Sequence, residues 1–334
     1  MNYGPIEDVV LLGGGTLLRE ICLWATSEGA PVKVITAPRH ARETAEGLSL
    51  EDFLVQNAID HIVTASIDTS EVRRFVGTTE RSFCLSLGAA WIFKSDVLGS
   101  IFSNGLLNLH GTRLPQNRGG GGFSWQIMSG NRFGVCLLHL VDAGVDTGDI
   151  VDFREFLYPP KCRKPVDYET VYRSENLDFV IDFIERHRSG TAILKTVPQQ
   201  EYLSSYFPRL NTKLNGWIDW TMEASDIERF ICAFDDPYDG AQTLLNDEIV
   251  HLKSVSLSPQ DGVFHPHQTG IVYRKGPSWL CVCLKGSTLI VEEVRDSDAN
   301  NCFDRIRVGD RFFTPSQRLE EALKRPTYIP SGLK

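Results

Sequence analysis

Asn108 and His110 stand two residues apart at the end of the apolar run LLNLH, so on a β-strand their side chains share one face. Downstream, a second apolar run, VCLLHLV, opens into DAGVDTGD, a loop of glycines and acids that carries Asp142, Asp146 and Asp149. An asparagine, a histidine and an aspartate gathered in this way suit acyl transfer to an amine without a covalent enzyme intermediate. Asn108 would donate to the carbonyl oxygen as negative charge grows on it. His110, with an unperturbed pKa of about 6.5, would take or relay the proton that leaves the nitrogen, or donate to the oxyanion. Asp146 would orient the imidazole and favour its charged form. A nucleophilic route has less support, because the chain has no G-x-S-x-G elbow and Cys136 lies inside a strand candidate.

A weaker candidate is the run Gly13-Gly14-Gly15-Thr16, whose free amides at a helix start could hold a phosphate or carboxylate. A dinucleotide fingerprint would need a third glycine where Leu18 stands and an acid closing the second strand, and neither is present. A tight turn without a ligand is the competing reading.

The elements that must position these residues follow a βαβ rhythm over the first two hundred residues, which predicts an α/β domain with a Rossmann-like, mostly parallel sheet. Strands are expected over 9–13, 32–36, 61–65, 82–87, 106–110, 135–141 and 150–153, so Asn108 and His110 fall at a strand carboxyl end, where open α/β sheets bind ligands. Helices are expected over 17–27, 50–58, 70–76, 123–129 and 167–187, the last with Leu177, Val180, Ile181 and Ile184 as its stripe and Gly190 as its stop. From Tyr202 a polar, aromatic connector leads to a helix with Ser225 and Glu228 as a capping box and Ile227, Phe230, Ile231 and Phe234 as its apolar face. Strand-like runs over 241–245, 249–257, 270–273, 280–284 and 289–294 follow, with turn signals at Asn246-Asp247 and Lys285-Gly286. We therefore divide the chain into a catalytic domain over 1–200, a connector and helix over 201–240, and a small β-barrel domain of OB-like kind over 241–334.

Composition limits the partners. With 42% hydrophobic and 23% charged residues the chain has a globular balance, and no apolar run approaches the roughly 20 residues of a membrane span. The start, MNYGPIEDVVLL, has no secretion signal, so a soluble, cytoplasmic protein with no membrane partner is expected. The net charge of −9 argues against a nucleic-acid partner, which would call for a basic face. The eight cysteines are scattered through apolar runs and imply no disulfide framework. His265, His267, Cys281 and Cys283 lack the usual ligand spacing, and no metal is expected.

The segments LNLHGTRLPQNRGGGGFSWQI and GVCLLHLVDAGVDTGDI together resemble the formyltransferases that use 10-formyltetrahydrofolate. Asn108 and His110 match that family's Asn-x-His, Leu114-Pro115 its Leu-Pro pair, and Asp146 the acid of its Asp-Thr-Gly loop. The resemblance implies an oxyanion donor, a proton-transfer histidine and its carboxylate partner, with 10-formyltetrahydrofolate as co-substrate. SLGAAWIF looks like the family's pterin-binding strand and turn, which assigns Leu87, Trp91, Ile92 and Phe93 to the folate, with Asp142 closing the same pocket. Gly14, Gly15, Arg118 and Gly119 are assigned to the acceptor substrate.

NGWIDWTMEASDIERFICAFDDPYDGAQT is similar to the connector and helix of the family's two-domain members, which end in a small β-barrel. The hydrolases of the group carry an extra amino-terminal domain, whereas this chain starts at its first strand. Gly111-Thr112 and Gly120-Gly121 replace the Pro-Ser and Ala-Pro of the methionyl-tRNA enzymes, and APRHARETAEGLSLEDF lacks their basic insertion. The pattern is closer to the sugar N-formyltransferases, which implies a nucleotide-activated aminosugar as partner and a place in lipopolysaccharide or other surface polysaccharide synthesis. Methionyl-tRNA formylation is the alternative, and a non-catalytic folate- or sugar-binding relative is a third reading. Oligomeric state stays open, a homodimer included.

Overall fold

The computed structural model describes residues 3–258 and 262–333. Seven strands build the main sheet: β1 (Asp8–Gly13), β2 (Val32–Thr36), β3 (Asp60–Val63), β4 (Ser82–Leu87), β5 (Leu107–His110), β6 (Phe133–Leu140) and β7 (Ile150–Leu157). Their order is β7-β6-β5-β4-β1-β2-β3, parallel from β5 to β3, with β6 antiparallel to both β5 and β7. The period of two along the central strands sorts side chains to two cores. Val9, Leu11, Phe83, Leu85, Leu107 and Leu109 face α1 (Thr16–Ser27), α2 (Leu50–Gln56) and the long helix. Val10, Leu12, Ile35 and Cys84 face α3 (Ser70–Val76) and α4 (Ser95–Ile101). With Leu107 and Leu109 committed to the first core, Asn108 and His110 must point the other way.

The helix α5 (Gly122–Met128) follows the glycine-rich turn, and α6 runs over Pro165–His187. Its buried stripe is Phe179, Val180, Phe183 and Ile184; Val180 and Ile184 are buried as expected, Leu177 packs half-buried against the same core, and Ile181 is half-buried beside it. Gly190, at φ +70, turns the chain just beyond its end. The helix α7 (Ala224–Ala233) buries Ile227 and Ile231 as expected, but its start is a correction. Glu223 holds the N-cap position with no side-chain cap, so the Ser225–Glu228 box does not form; Glu228 pairs instead with Arg163 at 2.5 Å.

The second sheet comprises β8 (Ala241–Leu245), β9 (Glu248–Ser258), β10 (Val272–Lys275), β11 (Leu280–Leu284), β12 (Ser287–Asp296) and β13 (Phe312–Phe313). They pair antiparallel in the order β10-β11-β12-β9-β8-β13. The sheet curls until its edges meet: the Val272 amide donates to Asp310 O at 2.8 Å and the Phe312 amide to Gly270 O at 2.9 Å. Asn246 and Asp247 both take positive φ in the β8–β9 turn, as their types permit.

The barrel is fixed to the α/β layer by one continuous core, in which Ile127, Tyr158 and Tyr168 pack with Ile227, Ile231, Leu252 and Val291. Beside it, the fully buried Asp235 accepts from Lys164 Nζ at 3.0 Å and from the Ser254 amide at 2.7 Å, while Lys253 bonds Asp236. Beyond the barrel come α8 (Ser316–Ala322) and a two-stranded hairpin, Tyr328–Ile329 with Gly332–Leu333. That hairpin returns to the α/β layer, where Arg39 donates to Ile329 O and Arg42 to Ser331 O, both at 3.4 Å. No helix among the described residues is long and apolar enough to cross a membrane.

Candidate active site

β5 and β6 carry the site as cross-strand neighbours. Asn108 lies opposite His139 in the antiparallel register, and His110 opposite Leu137, so all three polar groups stand on the face that the core leaves free. Asp146 reaches the same spot from the β6–β7 loop, at a backbone φ of +55 that aspartate tolerates better than most residues. Its carboxylate is anchored by the Gly119 amide, which donates to Oδ2 at 2.8 Å.

The hydrogen bonds decide which nitrogen of each ring carries the proton. His110 Nε2 lies 2.8 Å from Asn117 O, and a carbonyl can only accept, so Nε2 is the protonated nitrogen. Thr112 Oγ1, also at 2.8 Å, supports the same edge of the ring. Nδ1 therefore presents a lone pair, with Asp146 Oδ1 3.8 Å away, beyond hydrogen-bonding reach. By the same logic His139 Nδ1 donates to Leu140 O at 2.8 Å, which leaves Nε2 to accept from Asn108 Nδ2 at 3.0 Å. That contact sets the carboxamide of Asn108, and its second N–H is left to meet an oxyanion.

Electrostatics keep the His110 ring neutral. Burial pushes its pKa below the ordinary histidine value, and His139 adds to the effect; Asp146 and the Asn117 carbonyl oppose it without overcoming it. Burial alone would raise the Asp146 carboxyl, but His139, His110 and the Gly119 amide outweigh it and hold the group below the usual carboxylate range. The ring is thus neutral and the carboxylate charged near pH 7. The expectation that Asp146 orients the imidazole is corrected here: Asn117 O and Thr112 do that, and Asp146 acts on the ring by charge.

Asn108, His110, His139 and Asp146 line a cavity of about 690 Å³. Trp91, Ile92 and Phe93 form one part of its wall with Val141, Asp142 and Val145, and Ile92 is 74% exposed there. Asp142 Oδ1 accepts from the Gly144 amide at 3.0 Å and from Thr147 Oγ1 at 2.5 Å, so its role is to shape the loop that carries Asp146. Leu87 does not reach this cavity; it lines a smaller neighbouring cleft of about 240 Å³ together with Gly14 and Gly15. Gly14 is bare because a Cβ would stand 2.8 Å from His40 Cβ, which favours the packing role over a ligand role.

Arg118 is likewise committed, with its guanidinium on Glu201 at 2.8 Å and on Gln199 Oε1 at 3.1 and 3.2 Å. Gln199 in turn donates to Asp146 O and Gly148 O, so Arg118 braces the catalytic loop from behind. The glycine run at 119–122 also has an internal reason. At Gly119, φ is +100 and a Cβ would stand 2.1 Å from Phe207 O; at Gly120 it would stand 2.8 Å from Arg209 Cβ. Bare backbone there admits the chain's own 206–209 segment.

Sequence reasoning missed His139, and with it Arg39, Tyr206, Arg209, Arg325 and Tyr328, all of which line the cavity. For His139 a signal existed: it sits an even number of residues from Leu137 on a strand that must pair with β5. Cys136 is no nucleophile, since burial pushes its thiol up to about 12. All eight cysteines are buried and unpaired. Among the described residues, one group of three has ligating atoms within 4.8 Å of one another, and it is His110, His139 and Asp146, not the quartet around His265 and Cys281.

Fold and site together comprise an α/β layer, a carboxy-terminal barrel and an Asn-His-Asp cluster at a strand end. Residues 211–302 match the formyl transferase C-terminal domain. A methionyl-tRNA formyltransferase of Geobacter metallireducens is 28% identical over 224 residues, 66% of each chain. Its counterpart from Geobacter sulfurreducens is 28% identical over 57% of each, so the matched stretch spans just under two thirds of the first relative's length and less of the second's. Among solved structures, an N-formyltransferase of Helicobacter canadensis in complex with folinic acid and dTDP-3-aminofucose superposes with a TM-score of 0.65 at 20% identity, covering 86% of this chain and 99% of that one. HypX of Aquifex aeolicus gives 0.59 at 17%, covering 88% and 47%.

Proposed function

We propose that the protein transfers the formyl group of 10-formyltetrahydrofolate to the amino group of a nucleotide-linked amino-deoxysugar. The observation that carries this reading is the convergence of a fixed amide donor, a neutral imidazole lone pair and a carboxylate on one cavity. The Trp91–Ile92–Phe93 wall and the 141–145 backbone offer apolar area and peptide groups suited to a flat, polar-edged pterin. As the amine attacks the formyl carbon, Asn108 Nδ2 stabilises the negative charge on the formyl oxygen and His110 Nδ1 takes the amine proton; the bond from the formyl carbon to N10 then breaks, and the proton passes to N10 of the departing tetrahydrofolate. The imidazolium so formed is steadied by Asp146, 3.8 Å away. This division of labour needs no metal: His139 Nε2 is occupied by Asn108, and the proton transfer belongs to His110. Dialysis against a chelator is expected to leave turnover unchanged.

The acceptor is assigned on the net charge of −9, which disfavours a nucleic-acid partner. The methionyl-tRNA reading has its own support in the 28% identity to those enzymes. Incubation with 10-formyltetrahydrofolate and a panel of nucleotide aminosugars, alongside charged initiator tRNA, separates them by mass spectrometry of the products. Formylation of the tRNA alone overturns the sugar assignment.

The pH profile supplies a second check. Activity requires neutral His110 and so falls as pH drops through its pKa, which lies below the ordinary histidine value. In Asp146→Asn the charge that raises this pKa is gone, so the acidic limb of kcat is expected to move to lower pH while the plateau drops. A limb that stays in place would mean that another group titrates.

A further inference from the structure

Three guanidinium groups, those of Arg39, Arg209 and Arg325, line the same cavity as the catalytic trio in a protein whose net charge is −9. Among the described residues no carboxylate lies within 4.0 Å of any of them; Glu43, the acid that Arg39 feels, is farther off. Their positions are set from behind. Arg209 and Arg39 stand over the Tyr328 ring at 4.7 and 6.0 Å, and Arg325 stands over Tyr206 at 5.1 Å while donating to its hydroxyl at 2.8 Å. Tyr328 is itself pinned by its hydroxyl, which donates to Leu210 O at 2.9 Å.

Each guanidinium has five N–H donors, and few of them are used. Like charges held side by side in a cavity repel one another, and Arg209 already lowers the pKa of Arg39 after burial has done so. Such an arrangement is stabilised when a multiply charged anion bridges the groups. Glycine at 119 and 120 is what lets the 206–209 segment lie close enough to present Tyr206 and Arg209. The segment after α8 supplies Arg325, and the hairpin supplies Tyr328.

We propose that Arg39, Arg209 and Arg325, arrayed around Tyr206 and Tyr328, form a subsite for the diphosphate of the acceptor, so that the hairpin after the barrel completes the substrate site. This inference rests on the reading of the acceptor as a nucleotide sugar. A diphosphate carries several anionic oxygens on two adjacent centres, which suits forked donors approaching from three directions. The rival anion is the glutamyl tail of the folate, whose carboxylates share this chemistry.

The test is titration of the full chain with thymidine diphosphate, uridine diphosphate and inorganic pyrophosphate by calorimetry, and separately with 5-formyltetrahydrofolate. Arg209→Gln and Arg325→Gln are expected to weaken diphosphate binding roughly tenfold each, to leave folate binding within about twofold, and to raise KM for the acceptor far more than they change kcat. Arg81→Gln, remote and paired with Glu7, serves as the control. If diphosphate does not bind the wild type, binds the double variant equally well, or if folate affinity falls in its place, the subsite is wrong. Should the double variant lose the wild-type melting temperature, Arg209→Lys and Arg325→Lys decide: retained charge without the fork gives intermediate affinity if the subsite is real and unchanged affinity if it is not. A chain that binds diphosphate through these arginines yet formylates no aminosugar overturns the acceptor and keeps the subsite. One that formylates an aminosugar with unaltered KM in the double variant does the reverse.

Discussion

His110→Ala is expected to lower kcat by about 10²–10⁴, the usual range for loss of a positioned general base, while 5-formyltetrahydrofolate still binds. The size of the effect follows from what the ring does alone. Among the described residues its Nδ1 is the one imidazole lone pair that faces the cavity without a donor already on it, since His139 Nε2 accepts from Asn108. Asp146 cannot replace it, because its carboxyl is held below the usual carboxylate range and makes a poor base near neutrality. Single-turnover kinetics with saturating donor and acceptor would isolate the chemical step. Rates within a few-fold of wild type would remove His110 from proton transfer and pass the role to His139. His110→Gln gives a useful companion, since an amide can keep the bond to Asn117 O but cannot take the proton; it should be as slow as alanine.

Asn108→Ala is expected to cost about 10²–10³ in kcat with little change in KM, the signature of a donor whose bond strengthens only as charge develops. The structure adds a second consequence. His139 Nε2 loses its partner, so a buried nitrogen is left unsatisfied. Asn108→Asp should be slower still, because a carboxylate would face the growing negative charge. Equal kcat in the alanine variant and the wild type would mean that the formyl oxygen is stabilised elsewhere.

Much of this was legible in the sequence because it depends on local rules. The run LLNLH declares which of its residues face the core, and DAGVDTGD declares a turn-rich, acidic loop. Strands 32–36, 82–87 and 280–284 lie where their apolar runs place them. The helix Ser95–Ile101 went unread because SDVLGSI is short and interrupted by Gly99, and its helicity comes from packing Val97 and Ile101 against Phe93 and Phe102. Arg118 and Gly119 read as ligand contacts because a basic side chain and bare backbone serve a substrate or the chain itself equally well. Only the approach of the 206–209 segment separates those roles. Arg325 and Tyr328 offered nothing at all, since no spacing rule links residues so far apart.

The hairpin beyond the barrel has a bearing on the order in which this protein matures. It meets Arg39 across a separation of 290 residues, by way of the barrel, α8 and the buried Asp235 cluster. Contacts this distant in sequence form late, because the loops they close must first be organised. The α/β layer can thus acquire its sheet, and even the Asn108, His110 and Asp146 cluster, before the cavity has its last wall. During refolding, far-ultraviolet circular dichroism should recover ahead of nucleotide binding, and folate binding should return between the two.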